Sequence, residues 1–406
     1  MGFTKAVFIC TILFTSTLFT DSPAIGQTRI GTVQGAVKDP NGALVSGATV
    51  TITQANTGYR QTTKTDDQGL YKLVNVPFSD YNVRAEAPGF QATDQHIDLE
   101  SAIPLKLDFS LAVEGTAQTV TIEADSDHAE HDKVSSDTDI NQTILERPAG
   151  AAPSRGIEAI VASAPGFAPD DNGRMHARGS ESQVQYVVDG IPITDNLSAI
   201  FSTSLDARTL RTVEVLTGGI PAEFGDKLAG VINVNTRSGL ETPTQGGVTM
   251  SGGSFSTGEI GADFSTRTKR FGFLTNLSAS TSQRFLDPPT IENFHNFGRT
   301  GKGFFRLDYQ FDQRNSLRGT FLLGGSNFRI PNRLDQQLAG QDQRQRLRDS
   351  SQFITFEHIF SSRALGQFSF FNRYGRRNYR ATLNPRPWSP DRIGRFRTRA
   401  ASRRFR

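Results

Sequence analysis

The chain of 406 residues has one cysteine, one tryptophan and three methionines. Cys10 lies in an N-terminal stretch with Lys5 in its basic part, an apolar run from Ala6 to Phe19, and the small-residue site Ala24-Ile25-Gly26 before Gln27. Residues 1–26 thus read as a secretory signal, and its removal leaves a chain without thiols or disulfides. Val7-Phe8-Ile9 before Cys10 is no lipobox, so a lipid anchor is not expected. Long apolar runs are lacking too: the leader's run is shorter than the ~20 residues that span a bilayer, and no later segment supplies one. No transmembrane helix is expected in the mature chain.

A charge of one sign is also missing. The net charge is +3, and residues 391–406 alone hold seven arginines and one aspartate. The basic balance belongs to this tail, so no nucleic-acid partner is implied. Residues 381–406, ending "RIGRFRTRAASRRFR", show no periodicity and read either as a solvated basic tail or, the preferred reading, as an aberrant one, the product of a reading-frame error at the end of a truncated gene. Catalytic signatures are absent as well. There is no Gly-x-Ser-x-Gly elbow and no His-Glu-x-x-His, and "GRTGKGF" lacks the first glycine of a phosphate loop. No enzyme and no cofactor are expected.

What is present is β-structure. Residues 29–112 alternate short β-rich runs with turns at Asp39-Pro40-Asn41-Gly42 and Ser46-Gly47, the spacing of a small antiparallel sandwich. Residues 113–133 are polar and charged and read as a linker. Within it, "ADSDHAEHD" places His128 and His131 three apart among acids, which permits two imidazoles on one helical face; the disordered composition argues against a metal site. Residues 134–240 mix a helical candidate, "SRGIEAIVASAPGF", with strands at "VQYVVDGIPI", "RTVEVLTGG" and "AGVINVNTRSG", a small α+β domain. In "VQYVVDGIPI", Asp189-Gly190 is a turn signal and Pro192 removes a donor two residues later.

Beyond residue 240 lie 20 of the 30 phenylalanines. In "FFRLDYQFDQ", Phe305, Leu307, Tyr309 and Phe311 share one face while Arg306, Asp308, Gln310 and Asp312 share the other, and "RNSLRGTFLLGG" answers as a hairpin partner. Similar strands are predicted near 246–255, 258–266, 271–282, 351–360 and 366–374. Such alternation suits a transmembrane β-barrel, with residues 241–380 its first strands, and also a soluble sandwich. The second reading makes the protein a secreted or surface-attached β-rich carbohydrate-binding or adhesion protein.

"RGSESQVQYVVDGIPITDN" (178–196) resembles the plug signature of TonB-dependent outer-membrane receptors. "RTVEVLTGGIPAEFGDKLAGVINVNTRSG" (211–239) is similar to its second half, and "IEAIVASAPGF" to the helix that precedes them. "GAVKDPNGALVSGATVTI", "TTKTDDQGLYKL" and "YNVRAEAPGF" resemble the carboxypeptidase-regulatory-like, transthyretin-like sandwich. The combination is similar to the Oar-like group of these receptors. The resemblance implies a mainly β chain: N-terminal transthyretin-like sandwich, α+β plug, and the start of an antiparallel transmembrane β-barrel. Because the family closes about 22 strands around its plug and only about seven are predicted here, a fragment that is inactive alone is expected.

The plug-motif residues carried over are Arg178, Gly179, Asp189, Gly190, Pro192, Glu214, Gly218, Gly219, Phe224, Gly225, Gly230 and Asn233. Gly190, Gly218, Gly219, Gly225 and Gly230 are expected to permit positive φ and close approach, and Arg178, Glu214 and Glu223 to pair with the barrel wall; the same residues read equally as ordinary turns and a solvated surface. Gln118, Thr119, Val120, Thr121, Ile122, Glu123 and Ala124 resemble the TonB box; the same segment reads equally as the sandwich's last strand or a linker strand. The implied partners are TonB of the inner-membrane energising complex, outer-membrane lipid, and a ligand taken up by the proton gradient. Carbohydrate or peptide enters by analogy with modules sharing the sandwich's fold class.

Overall fold

The computed structural model describes residues 30–99, 101–114, 137–140, 145, 156–169, 175–180, 184–193, 205–218, 220, 224, 229–286, 292–312, 314–361 and 364–383. The leader, the TonB-box-like segment 118–124, His128, His131, Gly219, Glu223, Gly225 and residues 384–406 lie outside them.

The N-terminal unit comprises β1 (Ile30–Lys38), β2 (Thr49–Gln54), β3 (Tyr59–Lys64), β4 (Leu70–Pro77), β5 (Ser79–Glu86), β6 (Thr93–Leu99), β7 (Leu105–Lys106) and β8 (Phe109–Ser110). One sheet runs β4-β1-β7, with β8 also on β1, and the other β3-β2-β5-β6. Alternate residues of both, among them Val33, Val50, Ile52, Tyr59, Leu73, Tyr81, Val83 and Phe109, meet in one core. The turns close through carboxylates: Asp39 Oδ1 accepts from the Asn41 and Ala43 amides, and Asp66 Oδ1 from Gln68 and Leu70. The expected sandwich is present but not wholly antiparallel, since β7 and β8 run parallel to β1. After β6 the chain crosses to the other sheet before pairing, which reverses its sense relative to a hairpin.

The middle unit comprises β9 (Asp137–Asp139), helix α1 (Gly156–Val161), β10 (Phe167–Pro169), β11 (Met175–Ala177), β12 (Val184–Val188), β13 (Ile191–Ile193), β14 (Leu210–Leu216) and β15 (Gly230–Thr236). Its main sheet is ordered β13-β12-β15-β14-β9. The helix is shorter than "SRGIEAIVASAPGF" suggests, because Pro165 lacks a donor and Gly166 turns left-handed at φ 83°. Asp189 and Gly190 have φ 49° and 81°, the paired positive values of a two-residue type I′ hairpin between β12 and β13. Pro192 faces Val187 on the edge strand, a position where its missing N–H turns away from β12 and no further strand adds.

The last unit is one antiparallel meander: β16 (Gln245–Gly253), β17 (Thr257–Arg267), β18 (Phe271–Ser282), β19 (Gly298–Gln310), β20 (Asn315–Arg329), β21 (Gln341–Ser361) and β22 (Ala364–Leu383), in sequence order, with a short helix α2 (Leu334–Leu338) before β21. Among the described residues the sheet does not close, and β16 and β22 each pair on one side only. β21 and β22 extend past the predicted strands because pairing continues through charged residues that carry no apolar alternation.

Register sorts the two faces. Phe305 pairs with Phe321, Gly319 with Ile354, and Ile354 with Phe370, so one face carries an apolar belt that also includes Ile260, Leu277, Leu323, Phe356 and Phe368. Many of these side chains are exposed, and among the described residues no second sheet covers them. A soluble sandwich would bury such a belt, whereas a membrane wall turns it to lipid. The opposite face holds Leu274, Phe304, Leu322 and Phe353, buried in one cluster with α1 and plug residues such as Val188, Val213, Ile232 and Val234. Each such side chain contributes about 2 kcal/mol.

The unit boundaries are close-packed. A Cβ on Gly272 would overlap the backbone of Gly239 and Leu240, and one on Gly239 would overlap the backbone of Phe273. The segment leaving the plug therefore crosses β18 backbone to backbone.

Candidate functional site

The polar face seen in the sequence at 306 and 308 is where the wall holds the plug. Arg306, only 1% exposed, donates through Nε and Nη2 to Asp308 at 3.0 and 3.2 Å. Its Nη1 donates to the carbonyl and the hydroxyl of Thr236, both at 2.8 Å, and lies 3.5 Å from Asp189 Oδ1. Asp189 accepts from the Thr236 amide (2.9 Å), the Thr236 hydroxyl (2.8 Å) and, across the boundary, the Thr320 hydroxyl (3.2 Å). Asp308 accepts from Ser238 Oγ at 2.7 Å. The left-handed turn at 189–190 aims the carboxylate at the wall while its own amide donates to Val234 O. One guanidinium thus faces two buried carboxylates whose remaining lone pairs are largely met by hydroxyls and an amide, the condition under which buried charge is tolerated.

A second contact lies further along the wall. Asp206 caps the turn at 207–209 and takes a bidentate pair from Arg208 (3.0 and 2.9 Å) and a hydrogen bond from Ser278 on β18 (2.7 Å). Arg208 also reaches Glu259 on β17 at 2.9 Å, and Lys302 Nζ donates to Leu205 O. Burial opposes the charge on Asp206, but Arg208 and Lys302 outweigh it and hold the carboxyl far below the usual carboxylate range.

A third contact docks the sandwich. The Arg211 guanidinium sits 4.3 Å from the Tyr59 ring centroid and donates to Arg60 O, while its Nε lies 3.6 Å from Glu241. Arg318 on β20 donates to Asn75 Oδ1 of the sandwich at 2.7 Å and lies 3.7 Å from Asp308. Sandwich, plug and wall therefore share one charged seam.

Burial pushes the Glu241 carboxyl up from 4.5 to about 7, against the opposing charges of Arg211 and Arg306. A carboxyl raised in this way supports docking fully below its ordinary value and loses that support as pH rises through about 7. Docking is therefore expected to weaken between pH 5 and 7.5, and Glu241→Gln, neutral throughout, to flatten the profile. Hydrogen exchange of the Tyr59–Lys64 amides measures this; parallel profiles for wild type and variant would contradict it.

The sequence-derived residues separate under this geometry. Asp189, Gly190 and Pro192 form the wall-facing hairpin. Arg178, itself at φ 48°, and Gly179 shape the turn after β11, and the Arg178 guanidinium lies beside Gly218, 3.6 Å from where its Cβ would be. Glu214 accepts from Asn233 at 2.9 Å on the plug's own sheet, on the face shared with Val187 and Val231. Phe224 packs in that same smaller cluster. Arg178 and Glu214, expected to pair with the wall, lie here beside Gly218 and Asn233, and the described plug–wall ion pairs run through Asp189 and Arg208. Nor do Gly218 and Gly230 show positive φ; Gly230 is needed because a Cβ would press on Phe167 and Ala177. Arg306 and Asp308 were visible as a polar face, whereas Thr236, Ser238, Thr320, Arg208 and the Tyr59–Arg211–Glu241 seam carried no local signal. Among the described residues no cluster of His, Cys, Asp and Glu could hold a metal.

A mixed-order sheet locked by buried charge to a meander with an apolar outer belt is the arrangement that the resemblance to TonB-dependent receptors implies. Comparison with known proteins agrees: residues 136–231 match the TonB-dependent Receptor Plug Domain, and residues 32–112 the carboxypeptidase regulatory-like domain. Over 244 residues the chain is 31% identical to the TonB-dependent transporter Oar of Myxococcus xanthus, covering 58% of this chain and 22% of that protein. The chain thus carries the plug domain of TonB-dependent receptors beside a carboxypeptidase regulatory-like domain, is similar to Oar, and spans about a fifth of that relative's length. Solved structures that align with it include the alcaligin outer-membrane receptor FauA of Bordetella pertussis (17% identity, 61% of this chain and 40% of that one, TM-score 0.47). Another is the ferripyoverdine receptor of Pseudomonas aeruginosa (16%, 64% and 36%, TM-score 0.48). TonB-dependent receptors are outer-membrane proteins and not enzymes.

Proposed function

We propose that this chain supplies the sandwich, the plug and the first wall strands of a receptor that captures a ligand outside the cell and takes it up across the outer membrane. The energy comes from the inner-membrane proton gradient through TonB. Residues 1–26 direct export, and Gln118–Ala124 forms the box to which TonB adds a strand. The observation that carries this reading is the buried Asp189–Arg306–Asp308 lock, which ties the plug hairpin to the wall by polar contacts that can break without unfolding the wall. The ends of β17, β19 and β21, which few residues separate from the next strand, face the periplasm, and the ends of β18 and β20, which more residues separate from the next, face outward. The sandwich docks beside Arg318, at the periplasmic end, within reach of the energising complex.

A peptide of residues 113–133 is expected to bind the periplasmic domain of TonB in calorimetry, and the same peptide without 118–124 to lose binding. Equal affinities would rule out the box. Expressed alone, the chain leaves two strand edges open to lipid and is expected to yield no heat-modifiable, membrane-integrated monomer; such a monomer would overturn the inactive-fragment reading.

A further inference from the structure

On the apolar-belt face, toward the 283–297 and 330–340 connections, the sheet carries a hollow of about 720 Å³. Its floor is the cross-strand row Ala279–Gly301–Gly325, where small residues leave space. Met250 and Ile260 wall one side, and Arg299, Arg346 and Arg348 the other. Their parity settles the face: Ile260 pairs with Ala279 and Gly325 with Arg348, the same outward set as Leu277, Leu323 and Ile354.

The arginines continue beyond the hollow. Arg348 pairs directly with Arg376, and Arg344 with both Arg329 and Arg380. Like charges directly opposite on a sheet repel. Arg344 has Asp342 as its counter-ion, but among the described residues no carboxylate lies within ion-pair distance of Arg299, Arg346 or Arg348, and Arg376 Nε is buried without a hydrogen-bond partner. Glu259, at the hollow's margin, is engaged by Arg208 on the other face.

From this charge pattern we infer that the hollow binds a phosphorylated lipid of the outer leaflet, its phosphates on Arg299, Arg346 and Arg348 and an acyl chain along the Ala279–Gly301–Gly325 floor. A multivalent anion relieves the facing arginines, and the apolar belt directly beneath supplies the continuation that an acyl chain needs and a soluble anion does not. The inference rests on the reading of this sheet as an outer-membrane wall.

The test uses the full-length receptor purified from outer membranes in dodecyl maltoside, with native mass spectrometry as readout and diphosphorylated lipid A, dephosphorylated lipid A and inorganic phosphate as probes. Diphosphorylated lipid A is expected to be retained, the dephosphorylated lipid not, and inorganic phosphate not to displace it. The R299Q/R346Q/R348Q variant should lose about a hundredfold in affinity, while the corresponding lysine variant keeps most of it. Equal binding of the two lipids, displacement by phosphate, or full retention by a folded glutamine variant would overturn the inference. Should the glutamine variant not fold, the wild-type lipid comparison and the lysine variant still decide. A receptor absent from the outer-membrane fraction removes the wall reading itself; one present there that ignores lipid A removes only this inference.

Discussion

Replacing Arg306 with methionine is expected to loosen the plug from its wall by about 3–5 kcal/mol, the cost of leaving buried charge without its partner. The side chain it removes is 1% exposed and serves Asp308, Asp189 and Thr236 together. Its loss leaves two carboxylates, each 4% exposed, in one apolar-walled space with only hydroxyls and an amide for company, apart from Arg318 at 3.7 Å from Asp308. In the full-length receptor, amide exchange across Val213–Leu216 should accelerate while exchange in β19 and β20 changes little, because the wall keeps its ladder hydrogen bonds. Adding Asp189→Asn and Asp308→Asn to Arg306→Met should recover much of the protection, since a neutral set avoids the stranded charge. A single variant with wild-type exchange, or a triple variant worse than the single, would show that the triad is not what holds the hairpin.

Gly272→Ala is expected to abolish folding of the receptor into the outer membrane. The new Cβ meets the backbone of Gly239 and Leu240, and no side chain is available to rotate away. The cost lies at or beyond the upper end of overpacking, about 3 kcal/mol or more. It falls on the crossing that joins plug to wall, so neither unit can shift without disturbing the other. Gly252→Ala is the matched control, because its Cβ would lie 3.8 Å from Thr257 O, an ordinary contact. Heat-modifiability on gels should be lost for the first and kept for the second; a heat-modifiable Gly272→Ala receptor would show that the crossing is looser than its geometry.

Much of the fold was legible in the residues. Alternation of Phe305, Leu307 and Tyr309 with Arg306 and Asp308 marked a strand and both its faces, because the pleat sends successive side chains to opposite sides whatever the strand packs against. Asp189-Gly190 marked a type I′ hairpin because those two residues tolerate positive φ. The upper halves of β21 and β22 were missed for the complementary reason: "QDQRQRLRDS" is held extended by cross-strand pairing, with no apolar period to announce it.

The residues by themselves thus determined strand identity, face and turn, all consequences of local sterics and a period of two. Only the tertiary structure decided partners. Asp189 could have faced solvent, and Arg178 or Glu214 could have met the wall; register brings Arg306 and Thr320 to Asp189 instead, and places Glu214 beside Asn233. It also brings Tyr59 under Arg211, and Gly239 onto Gly272. Such pairings link residues far apart in the chain through shared burial and hydrogen-bond satisfaction, and these act only once the sheets have closed on one another.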